Sequence, residues 1–110
     1  MLSVITALII DGTPELVDLG RLSKMLGRSW EAVARRVVFE EEEINEFDQE
    51  YRGYANKAYQ MLCQWKRRDG SKATYEVLYN ALSHDLVLRR DLAEMFCLIN
   101  CEYSTGKRPF

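Results

Sequence analysis

Apolar residues recur along most of this chain at intervals of three and four, which is the spacing of one face of an α-helix. From Thr13 onward this pattern is almost continuous, and the strict alternation typical of β-strands is nearly absent. The pattern predicts six helices of about 10–15 residues joined by short turns. Helices of that length bury their apolar faces only against one another, so we expect a compact all-α bundle.

Local signals mark where the predicted helices begin and end. Thr13-Pro14-Glu15 is typical of a helix start, with a capping hydroxyl, a proline at the first helical position and an acid in the first turn. Gly27 is expected to end this first helix, and Asp69-Gly70 the fourth. Ser29 and Thr74 are predicted to cap the second and fifth helices. The third, fourth and sixth helices are predicted over residues 41–51, 54–68 and 88–101.

Each predicted helix carries a stripe of apolar residues that we expect to face the core. In chain order these are Leu16, Leu19, Leu22 and Leu26; Trp30, Val33, Ala34 and Val37; Ile44, Phe47 and Tyr51; Ala55, Ala58, Leu62 and Trp65; Val77, Leu78, Ala81 and Leu82; and Leu88, Leu92, Met95, Phe96 and Ile99. Both tryptophans lie on a stripe, which favours a core position over a ligand-binding one.

The composition fits one ordinary globular domain. The chain has 110 residues, of which 47% are hydrophobic and 29% charged, a balance that excludes a disordered tail. Only 6 glycines and 2 prolines are present, too few turn residues for a β-sandwich. We expect an apolar segment at 1–12 that packs on the domain or precedes it, the domain itself at 13–102, and a frayed tail at 103–110.

The chain offers little chemistry for a membrane anchor, a metal or a cofactor. Its apolar start, MLSVITALII, is about half the length that a membrane-spanning helix needs, and no basic stretch precedes it. Three cysteines and one histidine, without a C-x-x-C pair, make a disulfide framework or a zinc site improbable. We therefore expect no cofactor, no membrane insertion and reduced thiols in a cytoplasmic protein.

Several short elements resemble the pattern of death domains. Ser29-Trp30-Glu31-Ala32-Val33-Ala34 is similar to the family's W-x-x-L-A element, and Ile44 stands where the family opens its third helix. The other matching elements are Leu62-Cys63-Gln64-Trp65, the run Asp69-Gly70-Ser71-Lys72-Ala73-Thr74 followed by Leu78 and Ala81-Leu82, and Asp91-Leu92-Ala93-Glu94. They cover roughly residues 14–100 in the family's order, and adaptor or ankyrin-type death domains are the most similar kind.

The resemblance implies a six-helix antiparallel Greek-key bundle without catalytic activity of its own. It also implies binding to other death domains, homotypic or heterotypic, with self-association. Such binding would build oligomeric platforms in apoptotic or innate-immune signalling. The death domain of a structural or cytoskeletal adaptor is the alternative within the family.

Charged residues are segregated along the chain. Residues 40–50 hold seven acids and no base, whereas bases exceed acids in residues 52–72. Complementary faces of this kind allow heterologous pairing, which propagates as a ring or a helical stack. The predicted partner-binding residues are Arg28, Arg35, Arg36, Glu42, Glu46, Glu50, Lys66, Arg67 and Arg68. The alternative is that these charges only solvate the outer helix faces, and that Glu40–Glu43 stabilise a helix N-terminus.

Two other function classes are disfavoured. An enzyme is improbable because the chain has one histidine, no glycine-rich phosphate loop and no nucleophile motif. The basic run Trp65-Lys66-Arg67-Arg68 could serve a helical nucleic-acid-binding domain. The net charge of −2 and the acidic stretch oppose that reading, because they repel phosphate. We therefore expect no nucleic-acid partner.

Overall fold

The computed structural model describes residues 8–99, in which helices are joined by short turns. The α-helices are α1 (Leu16–Leu26), α2 (Trp30–Arg36), α3 (Glu41–Glu50), α4 (Tyr54–Asp69), α5 (Tyr75–Ser83) and α6 (Arg90–Cys97), with 3₁₀ turns at Gly27–Ser29 and Gly70–Lys72. Between residues 8 and 99 the only β pairing is an isolated antiparallel bridge between Ile9 and Leu98. The predicted all-α fold class is confirmed. The predicted tail, 103–110, lies outside the described residues.

Three of the predicted helix boundaries are confirmed by the backbone. Gly27 follows α1 and Gly70 follows α4, each with a φ of 57°, a conformation that glycine adopts without the steric penalty of a Cβ atom. Thr74 caps α5, because its hydroxyl accepts a hydrogen bond from the backbone N–H of Val77 at 3.2 Å. Local sequence signals therefore place the ends of α1 and α4 and the start of α5.

Two of the predicted caps are wrong. α1 begins at Leu16 with Glu15 in the N-cap position, so Thr13 lies before the helix. The Thr13 hydroxyl instead accepts a hydrogen bond from the Lys66 ammonium at 3.3 Å. Ser29 occupies the N-cap position of α2, as predicted, but it belongs to the 3₁₀ turn and its side chain makes no capping hydrogen bond. In both places a contact or turn outside the helix replaces the expected cap.

The core lies chiefly between α1 and α4, with the other helices packed around them. Leu19 and Leu22 of α1 and Leu62 of α4 are completely buried. Trp30 is 1% exposed at the start of α2, and Trp65 is fully buried in α4. Both tryptophans are core residues, as predicted. Apolar burial on this scale is the main stabilising force of a helical bundle.

Some residues predicted to face the core are exposed. These are Leu16, Ala55, Val77, Leu88, Met95 and Ile99. The first three lie in the first turn of their helices, at the margin of the core. Leu88 precedes α6, which begins at Arg90 rather than at residue 88. Met95 lies outside the buried stripe of α6, which consists of Leu92, Ala93 and Cys97 with Phe96 partly buried.

The first described residues pack against the bundle. Ile9 and Ile10 are partly buried on the core. The backbone N–H of Ile10 donates to the carbonyl of Cys97 at 2.7 Å. This pairing places Leu98 in an extended conformation, so α6 ends at Cys97 rather than at residue 101. The expected helix end is therefore replaced by a contact with the opposite end of the chain.

The described thiols are buried and unpaired. Cys63 and Cys97 are free cysteines, and burial raises the pKa of the Cys97 thiol to about 12. A buried neutral thiol behaves as a small apolar side chain. Across residues 8–99, no helix combines the length and the apolar character required to cross a bilayer.

Candidate protein-interaction surface

The first residues of the acidic stretch form the start of α3. The backbone N–H of Glu40 donates to the Glu43 carboxylate at 2.8 Å, and Glu41, Glu42 and Glu43 occupy the first turn of α3. Acids are stabilised there by the partial positive charge of the helix N-terminus. Part of the acidic stretch therefore serves α3 itself, which is the structural alternative that the sequence left open.

Glu46 and Glu50 lie beyond the first turn of α3 and have no such local role, and Glu42 of the first turn lies in line with them. Glu42, Glu46 and Glu50 are exposed and follow one another at intervals of four, on one side of the helix. Within residues 8–99 none of them hydrogen-bonds another side chain. Like charges at this spacing destabilise a helix by about 0.2–0.5 kcal/mol per pair. Helix formation alone does not explain this ridge, which we call the acidic ridge.

A groove of about 210 Å³ runs along α3 beside the acidic ridge. It is lined by Phe39, Glu43, Glu46, Phe47, Glu50, Tyr51 and Gln64. The Phe47 ring meets Phe39 edge-on at 5.5 Å between centroids and stacks on Tyr51 at 6.3 Å. Aromatic faces and carboxylates both attract cations. The groove therefore suits a basic side chain.

Arg35 is exposed near the end of α2 and is already paired within the chain. Its Nε donates to Glu41 Oε2 at 2.6 Å, and its Nη2 donates to Oε1 at 3.2 Å. The hydrogen bond lowers the pKa of Glu41 and raises that of Arg35. The two side chains are 42% and 65% exposed, so solvent screens the pair and its contribution to stability is small.

Arg36 lies in a different environment from its neighbour. Its Nη1 atom is 3.2 Å from Nε2 of His84, and the backbone N–H of Leu86 donates to Nδ1 of the same ring. This contact connects the end of α2 to the loop between α5 and α6. The Arg36 side chain therefore makes a contact within the fold, and it is less accessible to a partner than Arg35.

The basic end of α4 divides into three different side chains. Lys66 donates to the carbonyl of Pro14 at 2.6 Å, which joins α4 to the segment before α1. Arg68 donates to the carbonyls of Val37 and Val38 in the loop between α2 and α3. Arg67 is exposed, and its side-chain hydrogen bond is to Gln64 on the same helix. Two of the three charges thus hold parts of the fold together.

Comparison with known proteins identifies the family. The family model of the death domain matches residues 16–96, most of the chain. This chain belongs to the death-domain family. The resemblance deduced from the short sequence elements is thereby confirmed. A death domain is a module that binds other proteins, so its surfaces, rather than an internal cavity, are the functional part.

A curated relative of this death domain is the human receptor-interacting serine/threonine-protein kinase 1. The two sequences are 39% identical over 79 residues. That match covers 67% of this chain but 12% of the kinase. The chain therefore spans a small part of its relative, and the kinase activity in that name is not carried over to it.

The predicted binding residues of this death domain lie on several different elements. The acidic ridge lies on α3, and Arg28 is exposed in the 3₁₀ turn between α1 and α2. Arg35 is exposed beside Glu41, whereas Lys66 and Arg68 reach across to other elements. The fold thus presents an acidic surface, and Arg28, Arg35 and Arg67 are exposed outside the acidic stretch.

Phe39 and Glu41 contribute to this surface in ways that sequence reasoning did not find. Phe39 lies between α2 and α3, is 5% exposed and lines the groove, but it belongs to no helical stripe. Glu41 pairs with Arg35 across the loop, at a separation that no helix spacing rule predicts. The one signal in the sequence for this part of the surface was Phe39, an aromatic residue directly before the acidic stretch.

Proposed function

We propose that this death domain assembles with other death domains, including copies of itself, by placing its acidic α3 surface against a basic surface of its neighbour. The observation that carries the proposal is the acidic ridge, three exposed carboxylates without a side-chain partner in the described chain. In this proposal the assembly is a signalling platform in the cytoplasm, in apoptosis or innate immunity.

The basic side of the contact consists of Arg28 and Arg35. Both are exposed, and the planar guanidinium of arginine grips a carboxylate with two hydrogen bonds. Arg35 already makes such a pair with Glu41, so a neighbour's carboxylate replaces that partner rather than adding a new one. Arg28 makes no side-chain hydrogen bond within residues 8–99 and is the more available of the two.

The charges set specificity and association rate more than affinity. One exposed ion pair is worth roughly 0–1 kcal/mol, so a single contact cannot hold the assembly. The acidic and basic surfaces act together through their summed field, which salt screens over about 10 Å at 0.1 M. Association through these surfaces therefore weakens as the salt concentration rises.

The test compares charge reversals on the acidic ridge with a charge reversal elsewhere on the surface. Glu46→Lys together with Glu50→Lys removes the acidic ridge beside the groove. Glu94→Lys, on the exposed side of α6, changes charge elsewhere and serves as the control. We expect the double variant to lose self-association at low salt in sedimentation velocity, while Glu94→Lys keeps it. Association that survives in the double variant at the wild-type level would refute this function for α3.

A further inference from the structure

The loop between α2 and α3 contains a residue in an unfavourable backbone conformation. Val38 has a φ of 68° and a side chain that is 71% exposed. Its Cβ substituents make this region unfavourable, and β-branched residues rarely adopt it. The steric penalty corresponds to a population about 5- to 30-fold lower than in ordinary conformations. Burial of Val38 does not offset that penalty, so other contacts hold the loop.

Arg68 of α4 makes part of those contacts, beside the backbone hydrogen bonds that the N–H groups of Val38 and Phe39 donate to the carbonyls of Arg35 and Ala34. Its Nη2 donates to the carbonyl of Val37 at 2.5 Å, and its Nη1 donates to the carbonyl of Val38 at 3.0 Å. Its guanidinium lies 4.6 Å from the centroid of the Phe39 ring. Asp69 fixes the guanidinium from the other side, accepting from Nε at 2.7 Å and from Nη2 at 3.2 Å. One side chain thus contacts three consecutive residues of the loop.

We propose that Arg68 is a positioning residue, which holds the α2–α3 loop in its strained conformation and thereby sets the shape of the interaction surface. The loop lies between Arg35 and Glu41, and it carries Phe39, which lines the groove. The effect on binding rests on the proposed function, whereas the effect on the loop does not. Arg68 acts through the loop and need not touch a partner.

Only an arginine fits this arrangement. The planar guanidinium reaches two carbonyls, a carboxylate and an aromatic face at once, whereas a lysine ammonium is a compact charge without that planar fork. Arg68→Lys therefore keeps the charge and removes the geometry. A partner contact that depended on positive charge alone would survive this substitution.

The test measures opening of the loop by hydrogen exchange at the backbone N–H of Phe39, which donates to the carbonyl of Ala34 at 3.0 Å. We expect Arg68→Lys to accelerate this exchange by about tenfold, which corresponds to 1.4 kcal/mol of lost stabilisation. Val38→Gly is expected to slow this exchange again when it is added to the Arg68→Lys chain, because glycine adopts a positive φ without strain and the closed loop is then favoured. Arg67→Lys, next in the chain and hydrogen-bonded only to Gln64, is the control and leaves exchange unchanged.

Self-association supplies the second measurement. Arg68→Lys is expected to weaken it in the wild-type chain and to weaken it less in the Val38→Gly chain. An acceleration by Arg68→Lys that Val38→Gly does not reduce would overturn the proposal, since the strain at Val38 would then play no part in opening the loop. Weaker association with unchanged exchange would also overturn it, because Arg68 would then contact the partner directly. If the wild-type chain does not associate, the proposed function fails, and the exchange measurements still decide the role of Arg68.

Discussion

Replacing Trp30 by alanine removes the largest side chain of α2 from the core. Trp30 is 1% exposed and belongs to the same buried cluster as Leu26 and Val33. A buried tryptophan removes about 200 Å² from water, which at 25 cal/mol per Å² amounts to about 5 kcal/mol. Measured losses for Trp→Ala in cores are about 3–5 kcal/mol, so we expect the free energy of unfolding to fall by that amount.

A loss of this size is a large part of the total stability. Domains have a free energy of unfolding of about 5–15 kcal/mol, so Trp30→Ala brings the chain close to its unfolding threshold at ordinary temperature. Urea titration followed by circular dichroism measures the change. The fluorescence of Trp65, which is buried in α4, reports the same transition independently. Coincident curves from the two probes support two-state unfolding.

Leu86→Ala is the matched control, because Leu86 is also a large apolar residue but is 70% exposed. We expect it to change the free energy of unfolding by less than about 0.5 kcal/mol. A loss below about 1 kcal/mol for Trp30→Ala would refute the reasoning, because removing a tryptophan packed in the core lowers the free energy of unfolding by more than that.

Three further predictions concern the α5 cap, alkaline pH and the exposed ion pair. Thr74→Ala should lower the free energy of unfolding by about 1 kcal/mol, and Thr74→Ser should restore most of it; equal losses would exclude a hydroxyl cap. Burial raises the pKa of Cys97 from 9.0 to about 12, and burial together with Asp18 raises that of Tyr75 from 10.0 to about 12. Both groups therefore hold their protons more tightly in the folded state. The free energy of unfolding from urea titrations should stay constant below about pH 9 and fall toward pH 12; a free energy of unfolding that stays constant up to pH 12 would contradict this. Arg35→Gln should raise the pKa of Glu41 toward its ordinary value in an NMR titration, and an unchanged pKa would show that the pair does not form in solution.

Local physical chemistry explains why much of the fold was predictable. Trp30, Val33 and Ala34 are buried as predicted, because helical spacing alone determines which side of α2 faces the core. Gly27 and Gly70 follow α1 and α4 because these positions require a positive φ. Each of these signals lies within a few residues of the feature that it specifies.

Contacts between distant parts of the chain were not predictable in this way. Lys66 and Pro14 are separated by 52 residues, and Arg68 and Val37 by 31. In the sequence the basic end of α4 has the composition of an exposed binding surface, although two of its charges hold other segments in place. The end of α6 depends in the same way on the pairing of Leu98 with Ile9. Such contacts exist only after the helices have packed.

The central claim is that the acidic α3 surface of one domain binds the basic surface of the next. Two variants test it together: Glu46→Lys with Glu50→Lys, and Arg28→Ala with Arg35→Ala. Circular dichroism first establishes that both chains retain the helical fold. Each variant keeps one intact surface, so a mixture still offers one matched contact.

The decisive measurement is sedimentation velocity of each variant alone and of their equimolar mixture at low salt. We predict that each variant alone remains monomeric, whereas the mixture contains a dimer that dissociates as salt is added. The dimer stops at two chains because its outer surfaces no longer match. Association of either variant alone at the wild-type level, or a mixture that stays monomeric although the wild-type chain assembles, would contradict the claim.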